Sequence, residues 1–168
     1  PAGRSVKSHA GYLSVVMNEQ KVGIGEVRTE QGQVKLSAFG VGSCIVIMLY
    51  DETKKVGGLA HCLLPFGNDS SLKYPRNAID EMLKQMSQMG ASRDRIVAKI
   101  VGGATMFEGF ERHAIGKRNV TKTREELNKL DIPIIAEDVF GNWGRSISFN
   151  VESGEVKVRS YRHGEKVL

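Results

Sequence analysis

The sequence predicts an α+β fold: layered mixed and antiparallel β-sheets with two main helices packed on one side, in a single domain. Three observations carry this. Strand-like runs separated by glycine and polar punctuation crowd both ends of the chain, only two stretches have helical periodicity, and strands and helices do not alternate as a parallel βαβ sheet requires. At 168 residues the chain fits one domain, with a core large enough to hold without metal or disulfide help.

Residues 1–20 carry Gly3, Gly11, several small polar residues and one short apolar stretch, which predicts a flexible N-terminal extension before a folded domain over 21–168. Four strands are expected next, over 22–27, 34–39, 44–50 and 56–64. Between Pro75 and Met89 the period changes: Ile79, Met82, Leu83 and Met86 recur at helical spacing and Gly90 stops the helix. A strand over 96–101 ends in Gly102-Gly103. A second helix over 119–130 is marked by Val120, Leu127 and Leu130, and Pro133 blocks its continuation. Strands over 134–137, 146–151 and 155–161 follow, the last two as a hairpin around Glu152, Ser153 and Gly154.

Composition narrows the class. Hydrophobic residues make up 40% and charged residues 26%, the balance of a soluble globular protein. The longest apolar run, 45–50, is far short of the roughly 20 residues that span a bilayer. No charged-then-apolar leader is seen either, so the expectation is a cytoplasmic protein that does not insert into a membrane. Two cysteines, Cys44 and Cys62, are too few for a secreted disulfide scaffold and remain thiols in a reducing compartment. The net charge of +5 is spread among acidic residues without a basic, aromatic-laced stripe, which argues against a nucleic-acid partner.

One constellation can carry chemistry. Cys44 follows Gly40-Val41-Gly42-Ser43, and His61 lies seventeen residues later in Gly57-Gly58-Leu59-Ala60-His61-Cys62-Leu63-Leu64-Pro65. If residues 51–54 close an antiparallel hairpin, Tyr50 faces Lys55 and Cys44 faces His61, close enough for the imidazole to take the thiol proton. One more loop residue pairs Cys44 with Cys62 instead, a redox arrangement. Gly42 and Ser43 sit in the turn before Cys44, where amide N–H groups can form an oxyanion hole. The competing reading makes Cys44 a small core residue beside a tight glycine turn. Cys62 follows His61 on the other face of its strand, so the two cysteines and His61 do not converge on a metal, and His9, His113 and His163 have no partner at ligand spacing. No metal and no cofactor are expected.

Four segments in order, Gly40-Val41-Gly42-Ser43-Cys44, Gly57 through Pro65, Lys99-Ile100-Val101-Gly102-Gly103-Ala104-Thr105-Met106-Phe107 and Ile115-Gly116-Lys117-Arg118-Asn119, resemble the motifs of the chemoreceptor glutamine deamidases, the CheD family, over about residues 22–159. The resemblance implies hydrolysis of particular glutamine side chains on chemoreceptors to glutamate and ammonia, by a cysteine mechanism without metal or cofactor. It matches Cys44 to the nucleophile and His61 to the general base. It also places a histidine-orienting threonine six residues before the cysteine, where this chain has Ala38. Ser37, one position earlier, is the candidate third member, on the expectation that 40–43 close a hairpin with Ser37 on the Cys44 face. Such proteins also bind a CheC-type phosphatase, so a weakly active or inactive regulatory module is the alternative. Thr105, Arg118 and Asn119 are read as fixing loops rather than touching substrate.

Overall fold

The computed structural model describes residues 4–7, 13–106 and 114–168. Strands β1 (Arg4–Lys7) and β2 (Leu13–Val16) pair as an antiparallel ribbon. A first sheet contains β3 (Asn18–Lys21), β5 (Val34–Val41), β10 (Arg145–Asn150), β11 (Val156–Ser160) and β12 (Gly164–Val167), in the spatial order β12-β11-β10-β5-β3. A second contains β4 (Val27–Gln31), β6 (Ile45–Asp51), β7 (Val56–Cys62), β8 (Val97–Gly102) and β9 (Ile134–Val139), in the order β4-β7-β6-β8-β9. Each sheet has one parallel pair, β3 with β5 and β8 with β9, and is otherwise antiparallel.

The two helices, α1 (Pro75–Gln88) and α2 (Ile115–Lys129), cover one face of the second sheet, as the sequence predicts. That sheet is therefore buried on both sides, which is why β6 reads as an uninterrupted apolar run. Ile45, Ile47, Leu49, Ala60 and Cys62 pack under Ile79, Met82, Met86, Val120 and Leu127. On the opposite face Val46, Met48, Leu59 and Val101 meet Leu36, Ala38, Ile147, Phe149 and Val158 of the first sheet. The β10–β11 hairpin forms where predicted, with Phe149 opposite Val156.

Residues 22–27, expected as one strand, are the crossing between the two sheets. Val22 N–H donates to the Ser37 carbonyl of the first sheet (2.7 Å), whereas Gly25 N–H donates to the His61 carbonyl of the second (2.8 Å). Gly25 makes the turn between them at φ 78°, a conformation open to glycine. The last residues of the expected N-terminal extension belong to β3; residues 1–3 and 8–12 of it lie outside the described residues. Helix α2 starts at Ile115, four residues before the predicted start, because Gly116 is a contact residue rather than a breaker: a Cβ there would overlap the Ala104 carbonyl.

Candidate active site

The hairpin that carries both candidate residues adopts neither expected register. Val46 lies opposite His61, Ile45 opposite Cys62 and Asp51 opposite Val56. The turn is still four residues long, but it begins after Asp51 instead of including it. The cause is the buried Asp51 carboxylate, which accepts from the Thr53 and Lys54 amides (3.0 and 3.3 Å), the Ser92 amide (2.8 Å) and Arg95 (2.9 and 3.1 Å). β6 gains Asp51 and β7 gives up Lys55, so the register moves by two and every side chain keeps its face. Cys44 precedes β6 on the Val46 face, which is also the face of His61; Cys62 is on the other, among the helix contacts. Cys44, two residues before Val46, and His61, opposite Val46, thus lie at the same end of the sheet and on the same face.

The segment before Cys44 is not a hairpin. β5 belongs to the first sheet and β6 to the second, so Gly42, Ser43 and Cys44 carry the chain from one layer to the other. This crossing is held from below. Ala104 N–H donates to the Gly42 carbonyl (3.0 Å) and Gly103 N–H to the Cys44 carbonyl (2.8 Å). Gly102 has φ 120°, and a Cβ on it would overlap the Cys44 carbonyl oxygen, so the motif Gly102-Gly103 is a backbone-on-backbone contact. Asn119 of α2 donates from Nδ2 to the Ser43 carbonyl (2.9 Å) and to the Leu63 carbonyl (3.1 Å). Among the described residues, the Ser43 and Cys44 amide N–H groups have no acceptor.

His61 is buried, with Nδ1 at 3.3 Å from the Val22 carbonyl oxygen. An N–H on Nδ1 donates to that oxygen and leaves Nε2 as the acceptor nitrogen. Nε2 is itself buried and unpartnered among the described residues. Burial pushes the His61 pKa below 6.5, against an upward pull from the Val22 carbonyl and Glu26. Burial likewise pushes the Cys44 thiol above 9.0, opposed by its own backbone N–H. Burial thus favours the neutral thiol and the neutral imidazole over an ion pair. Cys62, wholly enclosed, is pushed up much further by burial.

Ser37 is not brought to this site. Val34, Leu36 and Ala38 of β5 point into the core with Cys44, and Ser37 points the other way, its hydroxyl donating to Glu19 Oε1 at 2.6 Å. The expectation failed because it needed β5 and β6 to pair. What sequence reading missed is the Val22 carbonyl, which as a main-chain group leaves no residue-type signal. Asn119 had one, its place in the Ile115-to-Asn119 motif. Thr105 donates its backbone N–H to the Gly141 carbonyl (2.9 Å), and Arg118 lies over the exposed Phe66 ring (5.4 Å). His163 stacks on Trp143 at 3.8 Å, and His9 and His113 are outside the described residues. Among the described residues no three His, Cys, Asp or Glu side chains converge as metal ligands, and no helix is long and apolar enough to cross a membrane.

Residues 64–160 match the family described as CheD chemotactic sensory transduction. Curated relatives extend over most of the chain. It is 42% identical over 156 residues to a probable chemoreceptor glutamine deamidase CheD 2 of Geobacter metallireducens, covering 88% of this chain and 96% of the relative. It is 40% identical over 158 residues to a probable chemoreceptor glutamine deamidase CheD of Pyrococcus horikoshii (90% and 98%), and 37% identical over 152 residues to one of Methanosarcina barkeri (88% and 100%). Spans of that length necessarily include Cys44 and His61. A solved Neisseria meningitidis protein of the DUF152 family aligns with a TM-score of 0.38 at 11% identity, over 69% of this chain and 52% of its own, too slight a likeness to build on. This chain belongs to the CheD family.

Proposed function

We propose that the chain is a chemoreceptor glutamine deamidase of the cytoplasm, converting side-chain amides of receptor glutamines to glutamate with Cys44 as nucleophile and His61 as general base. The names of the relatives support the reaction. The single observation that carries the mechanism is His61 Nε2, unpartnered among the described residues, on the same sheet face as Cys44 and with its tautomer set by Val22.

In this reading His61 Nε2 accepts the Cys44 proton as sulfur attacks the glutamine Cδ, the two closing to contact as substrate seats. The carbonyl oxygen becomes an oxyanion taken up by the Ser43 and Cys44 amide N–H groups, which have no acceptor among the described residues, each such donor worth about 3 kcal/mol of barrier. Collapse expels the amide nitrogen, which takes the proton from His61 and leaves as ammonia, and a thioester remains. A water then gives a proton to His61 and attacks the thioester; glutamate leaves and Cys44 recovers its proton. Neither metal nor cofactor enters these steps.

Incubating the purified protein with a receptor fragment tests this by mass: each converted glutamine adds about 1 Da, amide to acid. Conversion by the wild type and none by Cys44→Ala is expected; equal conversion by Cys44→Ala overturns the mechanism. Ala38 at the family's threonine position supports the second reading, a weakly active module that binds a CheC-type phosphatase. Wild-type protein that binds such a phosphatase and leaves the receptor mass unchanged would establish it.

A further inference from the structure

The β6–β7 ladder runs out at Ile45 opposite Cys62, and the next residues on either side are the ones that matter: Ser43 and Cys44 on one strand, Leu63 on the other. The Cys44 carbonyl takes the Gly103 N–H, but beyond the ladder the Ser43 and Leu63 carbonyls need another donor. Asn119 supplies it. Its side chain is buried, and Nδ2 donates at once to Ser43 O (2.9 Å) and Leu63 O (3.1 Å), tying the Cys44 end of one strand to the His61 end of the next.

The Ser43 carbonyl and the Cys44 N–H belong to one planar trans peptide, in which they point in opposite directions. Fixing the carbonyl on α2 therefore fixes the N–H pointing away from α2. We infer that Asn119 is a positioning residue for the deamidase reaction: by anchoring the Ser43 carbonyl it aims the Cys44 N–H at the place where the substrate oxyanion develops. The inference rests on the proposed cysteine mechanism. A further observation agrees with it: among the described residues the Cys44 N–H has no acceptor on another residue. Burial raises the Cys44 thiol and its own backbone N–H lowers it, so the placing of that N–H bears on the thiol as well. The position of Asn119 is fixed in turn by the glycine contact of Gly116 with Gly103 and Ala104 one turn earlier in the helix.

The test is Asn119→Ala, assayed well below its melting temperature, with two readouts. On a receptor fragment, kcat is expected to fall between about tenfold and a hundredfold while KM moves by less than about threefold, the signature of an interaction made in the transition state. Independently of any substrate, the pH midpoint for alkylation of Cys44 by iodoacetamide, followed by mass on the Cys44 peptide, is expected to rise, because the thiolate loses an aimed N–H. A folded Asn119→Ala protein with unchanged kcat and unchanged midpoint overturns the inference and leaves Asn119 a structural tie alone. If Asn119→Ala does not fold, Asn119→Asp, of the same shape with one donor when protonated, is expected to give the same changes in smaller measure, and their absence counts against the inference equally. Activity retained by Cys44→Ala sinks the proposed mechanism and this inference with it, whereas activity lost in Cys44→Ala and unchanged in Asn119→Ala sinks the inference alone.

Discussion

His61 is oriented by a main-chain oxygen: its Nδ1 lies 3.3 Å from the carbonyl of Val22, in the segment that crosses from β3 to β4. Ala38, where the resemblance implies a histidine-orienting threonine, is buried in the same core cluster as Cys44. The orienting contact is thus made by backbone, which no side-chain substitution removes directly.

Ala38→Thr follows as the first prediction. Restoring the family's hydroxyl adds atoms to a closed core, and overpacking of this kind costs about 1–3 kcal/mol. With Nδ1 already paired to Val22, kcat on a receptor fragment is expected to stay within about threefold of wild type. Denaturant unfolding and steady-state kinetics measure the two effects; a large gain in kcat would show that Val22 does not serve the role.

The pH dependence follows from burial. His61 titrates below 6.5, so the base is free at neutral pH, and kcat/KM is expected to rise with pH only across an acid limb below 6.5 and then level off. Burial pushes the Cys44 thiol above 9.0, so its alkylation is expected to be slow at pH 7 and to reach its midpoint only above pH 9. A thiol that alkylates with a midpoint near 6 would reveal a pre-formed ion pair.

The same group links pH to stability. Because the folded chain holds His61 neutral below 6.5, the unfolded chain binds the proton first as pH falls. Its contribution is therefore present above pH 6.5 and is lost on going down from 6.5 toward the folded value. His61→Gln is expected to remove this part of the acid slope in urea unfolding, and to abolish conversion of receptor glutamine.

Asp51 pins the register. Burial raises its pKa, but the hydrogen bonds from Arg95, Ser92 and Lys54 win and hold it below 3.8. Its support is present above 3.8 and lost as pH drops through the folded value. Asp51→Ala leaves the Ser92 amide without its acceptor and frees the turn, a loss of about 2–4 kcal/mol by chemical denaturation at pH 7.

Gly116→Ala tests the seat of α2. The added methyl would overlap the Ala104 carbonyl, so the helix must lift, at a cost of about 1–3 kcal/mol. Asn119 moves with it, and kcat is expected to fall along with the melting temperature. Both are read on the same purified variant.

Local chemistry was legible in the sequence, and long-range pairing was not. The stripe Ile79, Met82 and Met86 declared α1, and the apolar run 45–50 declared a strand buried on both faces. β12 was invisible because Gly164-Glu165-Lys166-Val167 is exposed throughout and carries no apolar alternation. The hairpin register depends on Arg95 and Ser92, more than forty residues from Asp51, so loop length alone misplaced it. Cys44 and His61 nonetheless fell on one face, because the error was even. Ser37 was misread through a pairing of β5 with β6 that the two-layer crossing at Gly42–Cys44 replaces.

Acid quench of the reaction with a receptor fragment, followed by intact mass, addresses the covalent step itself. A species at the summed mass of the two chains less ammonia, about 17 Da, joined through the Cys44 peptide, is the expected thioester. Receptor glutamine converted to glutamate with Cys44 unmodified at every quench time, and converted equally well by Cys44→Ala, would contradict it.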